Sequence, residues 1–220
     1  MSTVQRVVLR AKVIQIFAEG HQQLGHDINH PLRSAELAER IALHEGYPDI
    51  NEAWAGGLLH DMGRAMQPTE TGHGPAGVPI ASKLLREYTD FDARTKQRIL
   101  KAIEVHSRLN QKGKLTHIIQ DADMLDGMGS VGLERAIKIA AALRDCTSDN
   151  VIPVFTTKPR DQFNIQTTHE RIAMHMNWIN LVHTPTAKRI ATKRWHTMQQ
   201  FLETYRDEAA LKDFNWPITK

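Results

Sequence analysis

AGGLLHDMGR, residues 55–64, sets a run of small residues and leucines directly against His60 and Asp61, turns at Gly63 and stops on Arg64. Upstream, Ala53, Trp54, Leu58 and Leu59 give an apolar run and Asp49 stands where a helix N-cap belongs. The spacing predicts a buried helix from about Asp49 to Gly63, with His60 and Asp61 in its last turn. A histidine in that place alone reads as a cation facing the negative end of the helix dipole. Asp61 breaks that reading, because a carboxylate lies on the wrong side of the same dipole and needs positive charge beside it. Arg64 could supply the charge, and a metal ion would supply it and explain the histidine as well.

Helical periodicity continues on both sides. Val4, Val7, Val8, Ala11, Ile14 and Ala18 form one stripe and predict a helix over 3–18 that buries it. Ser34, Leu37, Ala38, Ile41 and Ala42 form a second, with Pro31 in its first turn and an end near Gly46. The Pro-, Gly- and Thr-rich text from Gln67 to Gly77 reads as a loop, followed by helices over Pro79–Tyr88 and Asp92–His106. After a polar loop, Arg108 to Lys114, a helix through Ile118, Ile119, Ala122 and Leu125 carries Asp121, Asp123 and Asp126. Residues 131–144 read as helix, Cys146–Gln166 as an irregular excursion, and about 168–182 and 186–209 as a closing helical pair. No period-two strand and no repeat is present in the text. The expected architecture is all-α: a single-domain helical bundle over 1–220, its motif-bearing core about 22–145 and its C-terminal helices about 168–209 packed on that core.

Composition narrows the class. With 220 residues, 41% hydrophobic and 24% charged, the chain can bury one sizeable core. One cysteine, Cys146, supports neither an internal disulfide nor a thiolate metal site. No apolar run approaches a membrane span, and the first twenty residues carry arginines without a cleavage site, so no membrane partner and a cytoplasmic location are expected. A net charge of +3, spread along a chain with 6% aromatic residues, argues against a nucleic-acid partner. Twelve histidines draw attention to where they fall.

His30, His60 with Asp61, His106 and Asp123 sit at the ends or inner faces of predicted helices. Imidazoles and carboxylates without thiolates form a catalytic type of set for Fe, Mn, Zn or Mg. His30-Pro-Leu-Arg33, His60-Asp61-Met-Gly-Arg64, Ile103-Glu104-Val105-His106-Ser107 and Gln120-Asp121-Ala122-Asp123-Met124-Leu125-Asp126, in this order, resemble the HD superfamily of metal-dependent phosphohydrolases. The resemblance extends over most of residues 22–209 and is to bacterial HD hydrolases. It implies that His30, His60, Asp61 and Asp123 bind one divalent metal (Fe, Mn, Zn, Co or Mg), with His73 and His106 the candidates for holding a second. Asp121 and Asp126, flanking the last ligand, would orient ligands by hydrogen bonding or cap helices. Arg33 and Arg64 are the expected phosphate contacts, and Asp61 would also accept a hydrogen bond from the attacking water. The expected substrate is a small phosphorylated metabolite, foremost a nucleotide. The alternatives are a di-iron oxygenase, which requires both His73 and His106 as ligands, and a nucleotide-binding module without turnover. The apolar terminal helices leave a homo-oligomer open.

Overall fold

The computed structural model describes residues 1–20, 27–66, 72–142 and 168–212. Among these residues all regular structure is helical: α1 (Thr3–Glu19), α2 (Asn29–His44), α3 (Ile50–Leu59), α4 (His73–Tyr88), α5 (Ala93–Val105), α6 (Lys114–Asp126), α7 (Gly129–Ala142), α8 (Thr168–Asn177) and α9 (Pro185–Ala209), with a short 3-10 turn at Trp178–Asn180. None of the described helices is long and apolar enough to cross a membrane.

Helix α3 is the axis. Asp49 caps it by accepting from the amide of Glu52 at 3.1 Å, and every residue from Glu52 to Leu59 is buried. A helix apolar all round has neighbours all round, and here α2, α5, α6 and α1 surround it. Glycines set the approach: a Cβ on Gly57 would lie 2.7 Å from the carbonyl oxygen of Ser34 and 3.0 Å from Cα of Ala35, both backbone atoms of α2. One polar group is buried here too, and it is satisfied: Glu52 accepts from Nε of Arg98 at 2.7 Å and from the Tyr47 hydroxyl at 2.8 Å.

Beyond the end of α3, which falls at Leu59 so that His60 and Asp61 follow the helix instead of lying in its last turn, two expectations change. In α1 the core-facing residues are Leu9, Val13 and Phe17, whereas Val4 and Val7, in the stripe expected to be buried, are 72% and 63% exposed. The helix has two apolar faces, and the larger aromatic and leucine side chains win the core. The second change is at α4, which begins at His73, so that 73–77 are helix rather than loop. Glycines there serve close approach: a Cβ on Gly74 would meet the carbonyl oxygens of Ile103 and Glu104 at 2.9 Å, and one on Gly77 the amide of Gly63 at 2.8 Å. The start of α4 therefore presses on the end of α5 and on the turn after α3. The Cys146–Gln166 excursion lies outside the described residues. Helix α9 is tied to α6 by Asp121, which accepts from the amides of His183 and Thr184 and from the Thr184 hydroxyl at 2.7–2.8 Å.

Because Gly57 faces backbone that cannot step aside, Gly57→Ala should cost about 1–3 kcal/mol. That corresponds to a drop in Tm of roughly 2–10 °C by thermal unfolding; an unchanged Tm would contradict the close α2–α3 contact.

Candidate metal centre

Five helix ends deliver the polar residues. His30 is in the first turn of α2, His60 and Asp61 follow the last residue of α3, His73 opens α4, His106 follows the last residue of α5, and Asp123 lies in the last turn of α6. His30, His60, Asp61, His73 and His106 are all at most 4% exposed, while the Asp123 side chain is 31% exposed.

The same local device sets His60 and His106. The last carbonyls of a helix lack intrahelical partners, and each imidazole donates Nδ1–H to the carbonyl three residues back, His60 to Gly57 at 2.8 Å and His106 to Ile103 at 2.7 Å. A carbonyl only accepts, so in each ring a proton is on Nδ1 and Nε2 is turned inward. His30 likewise uses Nδ1 on Oδ2 of Asp126 at 2.8 Å.

The inward atoms group around Asp61. Its Oδ2 lies 3.3 Å from Nε2 of His30 and 3.8 Å from Nε2 of His60, and those two nitrogens are 3.1 Å apart. Oδ1 of Asp123 completes this group at 3.3 Å and 3.8 Å from the same nitrogens. The other oxygen of Asp61, Oδ1, is 3.4 Å from Nε2 of His73 and 3.8 Å from Nε2 of His106, themselves 3.1 Å apart. Nε of Arg64 sits 3.1 Å and 3.0 Å from the two Asp61 oxygens. One carboxylate thus faces two sets of imidazoles, one through each oxygen.

Buried lone pairs and carboxylate oxygens converging on one point are unfavourable unless a cation joins them. These residues fit a divalent metal ion: the donors are nitrogen and oxygen, and the Nδ1 protons of His30, His60 and His106 are committed outward, whereas the buried Nδ1 of His73 has no partner among the described residues. Burial pushes the His60 imidazole down to about 4 and His73 to about 3, so both are neutral near pH 7, the state that binds metal. His30 behaves oppositely. Burial and Arg135 push it down, but Asp123, Asp126 and Asp61 carry it up to about 10. In the ion-free protein a proton on His30 takes the place of positive charge that the carboxylates call for. Asp123 is held well below the usual carboxylate range by His30 and His60, against the effect of its burial.

Behind His30, Asp126 accepts from Nε of Arg33 at 2.5 Å, from Nη2 of Arg33 at 3.0 Å and from Nη1 of Arg135 at 2.8 Å. Arg33 was expected at a phosphate. It forks onto Asp126, the same carboxylate that holds His30, and lines a separate cleft. Arg64 does line the cavity beside the ligands, a space of about 470 Å³ that also includes His73, His106, Asp123, Arg108 and Lys188. Sequence reasoning missed Arg135, whose tie to Asp126 spans two helices, and the His117–His183 pair, stacked at 4.0 Å and 8° on the cavity wall. No spacing rule links residues so far apart in the chain.

Two results follow for metal binding. Asp126→Asn, which weakens the grip on His30, should lower metal affinity by about 10–100-fold in a competitive chelator titration; wild-type affinity would contradict its orienting role. A metal ion must also displace the His30 proton, which is present below about pH 10 in the ion-free protein and absent in the bound one. Metal affinity should therefore rise with pH, by about tenfold per unit between roughly pH 6 and 8, as read by isothermal titration. A flat profile would contradict the assignment.

Comparisons with known proteins agree with this geometry. Residues 27–128 match the family model of the HD domain. A 67-residue stretch is 39% identical to Ribonuclease Y 1 of Pediococcus pentosaceus, covering 30% of this chain and only 13% of that protein. Among solved structures, a Lactobacillus plantarum protein superposes with a TM-score of 0.71 at 23% identity, covering 96% of this chain and 99% of the other. An HD-superfamily hydrolase of Bacillus thuringiensis gives 0.68 at 24% identity over 92% and 95% of the two chains. Bacillus subtilis YpgQ in complex with ADP gives 0.63 at 20% identity over 90% and 97%. With the helix order, the paired His60-Asp61 and a family match that spans His30 to Asp126, residues 27–128 of this chain form an HD domain.

Proposed function

We propose that this HD-domain enzyme, of the metal-dependent hydrolase type, cleaves a phosphate ester of a small metabolite, and that the metabolite is a nucleotide. The observation that carries the reading is the position of Asp61: one buried carboxylate facing two imidazole sets, beside a cavity walled by Arg64, Arg108, Arg135, Arg171 and Lys188. In this reading His30, His60, Asp61 and Asp123 hold one divalent ion of the Fe, Mn, Zn, Co or Mg group. His73 and His106 share Asp61 in holding a second. When bound, such ions supply Lewis acidity, which acidifies water and offsets charge on phosphoryl oxygens.

The chain's own residues do the rest. Arg64 pins Asp61 so that both oxygens keep their directions, and the guanidinium and ammonium groups on the wall suit phosphate oxygens. His60 and His106, fixed by their carbonyls, keep Nε2 directed at the site instead of rotating to solvent. The fold shared with YpgQ, solved with ADP, supports a nucleotide as the phosphorylated ligand.

A second reading is favoured by one observation. His73 and His106 lie 3.4 Å and 3.8 Å from Oδ1 of Asp61, which supports the six-residue set that a di-iron oxygenase would require. The two readings separate by assay. With Mn, Co or Mg added, the hydrolase reading expects release of phosphate or pyrophosphate from a panel of nucleotides, and no oxygen uptake. In the same assay Lys188→Gln should raise KM about tenfold with little change in kcat, as loss of one charged phosphate contact would do. Oxygen consumption by iron-loaded protein, with every nucleotide left intact, would overturn hydrolysis in favour of oxygenation.

A further inference from the structure

On the far side of Asp126 from the metal centre lies a second cleft, of about 530 Å³, that the proposed reaction does not use. Arg10 of α1, Arg33 and Arg40 of α2, and Arg194 of α9 line it, against two carboxylates, Glu36 and Asp126. Asp126 is already shared among His30, Arg33 and Arg135, so it leaves little negative charge for the cleft. Arg194 reaches across to donate Nη1–H to the carbonyl of Leu125 and is partly buried, with desolvation pulling its pKa down. Arg10 and Arg40 make no ion pair among the described residues. Four guanidinium groups from three helices line this cleft, with Asp27 and Glu134 also acting on Arg33, and an anion that joins Arg10 and Arg40, the two without an ion pair among the described residues, makes the arrangement more favourable.

We propose that this cleft is a binding site for a small oligophosphate, distinct from the metal centre. Guanidinium forks match phosphate oxygens in geometry and charge. Cations spread over three helices suit a chain of two or more phosphoryl groups better than a single one. Among the described residues the lining contains no aromatic side chain on which a base could stack, which favours a small anion over single-stranded nucleic acid. Arg33 gives the site a direct line to the chemistry. It is at once a wall of the cleft and the fork that holds Asp126 on His30, so an anion that recruits Arg33 acts on the residue that orients a metal ligand.

The oligophosphate could be free or carried by a nucleotide, and one experiment separates these sources. Metal-free protein carrying Arg108→Gln and Lys188→Gln, which weaken the cavity at the metal centre, is titrated calorimetrically with inorganic pyrophosphate and with ADP. We expect saturable pyrophosphate binding that becomes at least about 30-fold weaker when Arg10→Gln and Arg40→Gln are added, two charge-assisted contacts being lost. Both positions are exposed, and circular dichroism checks that the fold is kept. Similar affinities for the two ligands identify the phosphates alone as the determinant, and ADP binding about tenfold tighter identifies a nucleotide. No pyrophosphate binding, or binding indifferent to Arg10 and Arg40, overturns the site. Tighter binding of a short single-stranded RNA, abolished by the same two substitutions, would replace the small anion with nucleic acid. None of these readouts depends on turnover, so the site can fail while the hydrolase reading stands, and the reverse.

Discussion

Everything near the centre of this protein answers to one electrostatic constraint: buried nitrogen lone pairs and carboxylate oxygens point at one another around Asp61. No arrangement of neutral imidazoles and ionised carboxylates relaxes this unaided, and a low-dielectric interior magnifies the cost. The chain meets it in part with Arg64 on Asp61 and a proton on His30. The rest is work for a cation, and for this reason the site reads as a metal centre rather than as a satisfied polar core.

The fold is shaped to hold those atoms in place. Helices α3 and α5 both end just before a candidate ligand histidine, and each lends an unsatisfied carbonyl that holds its Nδ1–H. Glycines at 57, 74 and 77 bring the backbones of α2, α5 and the turn after α3 within contact of their neighbours, and so set where His30, His73 and His106 can reach. Stability and function are coupled through these contacts. A side chain at Gly77 would force the start of α4 away from the turn that carries Asp61, and with it His73.

Much of this was legible before any coordinates. The cap at Asp49, the buried helix and the abrupt His60-Asp61 read directly from residue types, and the spaced motifs gave the family's fold. What was not legible has physical reasons. Helix α1 carries two apolar faces, and periodicity does not say which meets the core, so the stripe through Val4 and Val7 was assigned inward when Leu9, Val13 and Phe17 hold that place. The glycines and proline at 72–77 read as a loop, although they serve close packing at a helix start. Arg33 reads as a phosphate contact by its guanidinium fork, and its partner in the fold, Asp126, lies 93 residues away, which no spacing reveals. Arg135, His117 and His183 come together only through tertiary contacts.

The reading that Asp61 is shared by two ions makes a direct demand on metal content. Elemental analysis of protein purified without chelator, in wild type, His73→Ala and Asp61→Ala, tests it. The account predicts about two ions per chain in wild type, one in His73→Ala and none retained in Asp61→Ala, as expected when one carboxylate ligates both. Asp61→Ala that keeps the wild-type metal content would contradict it.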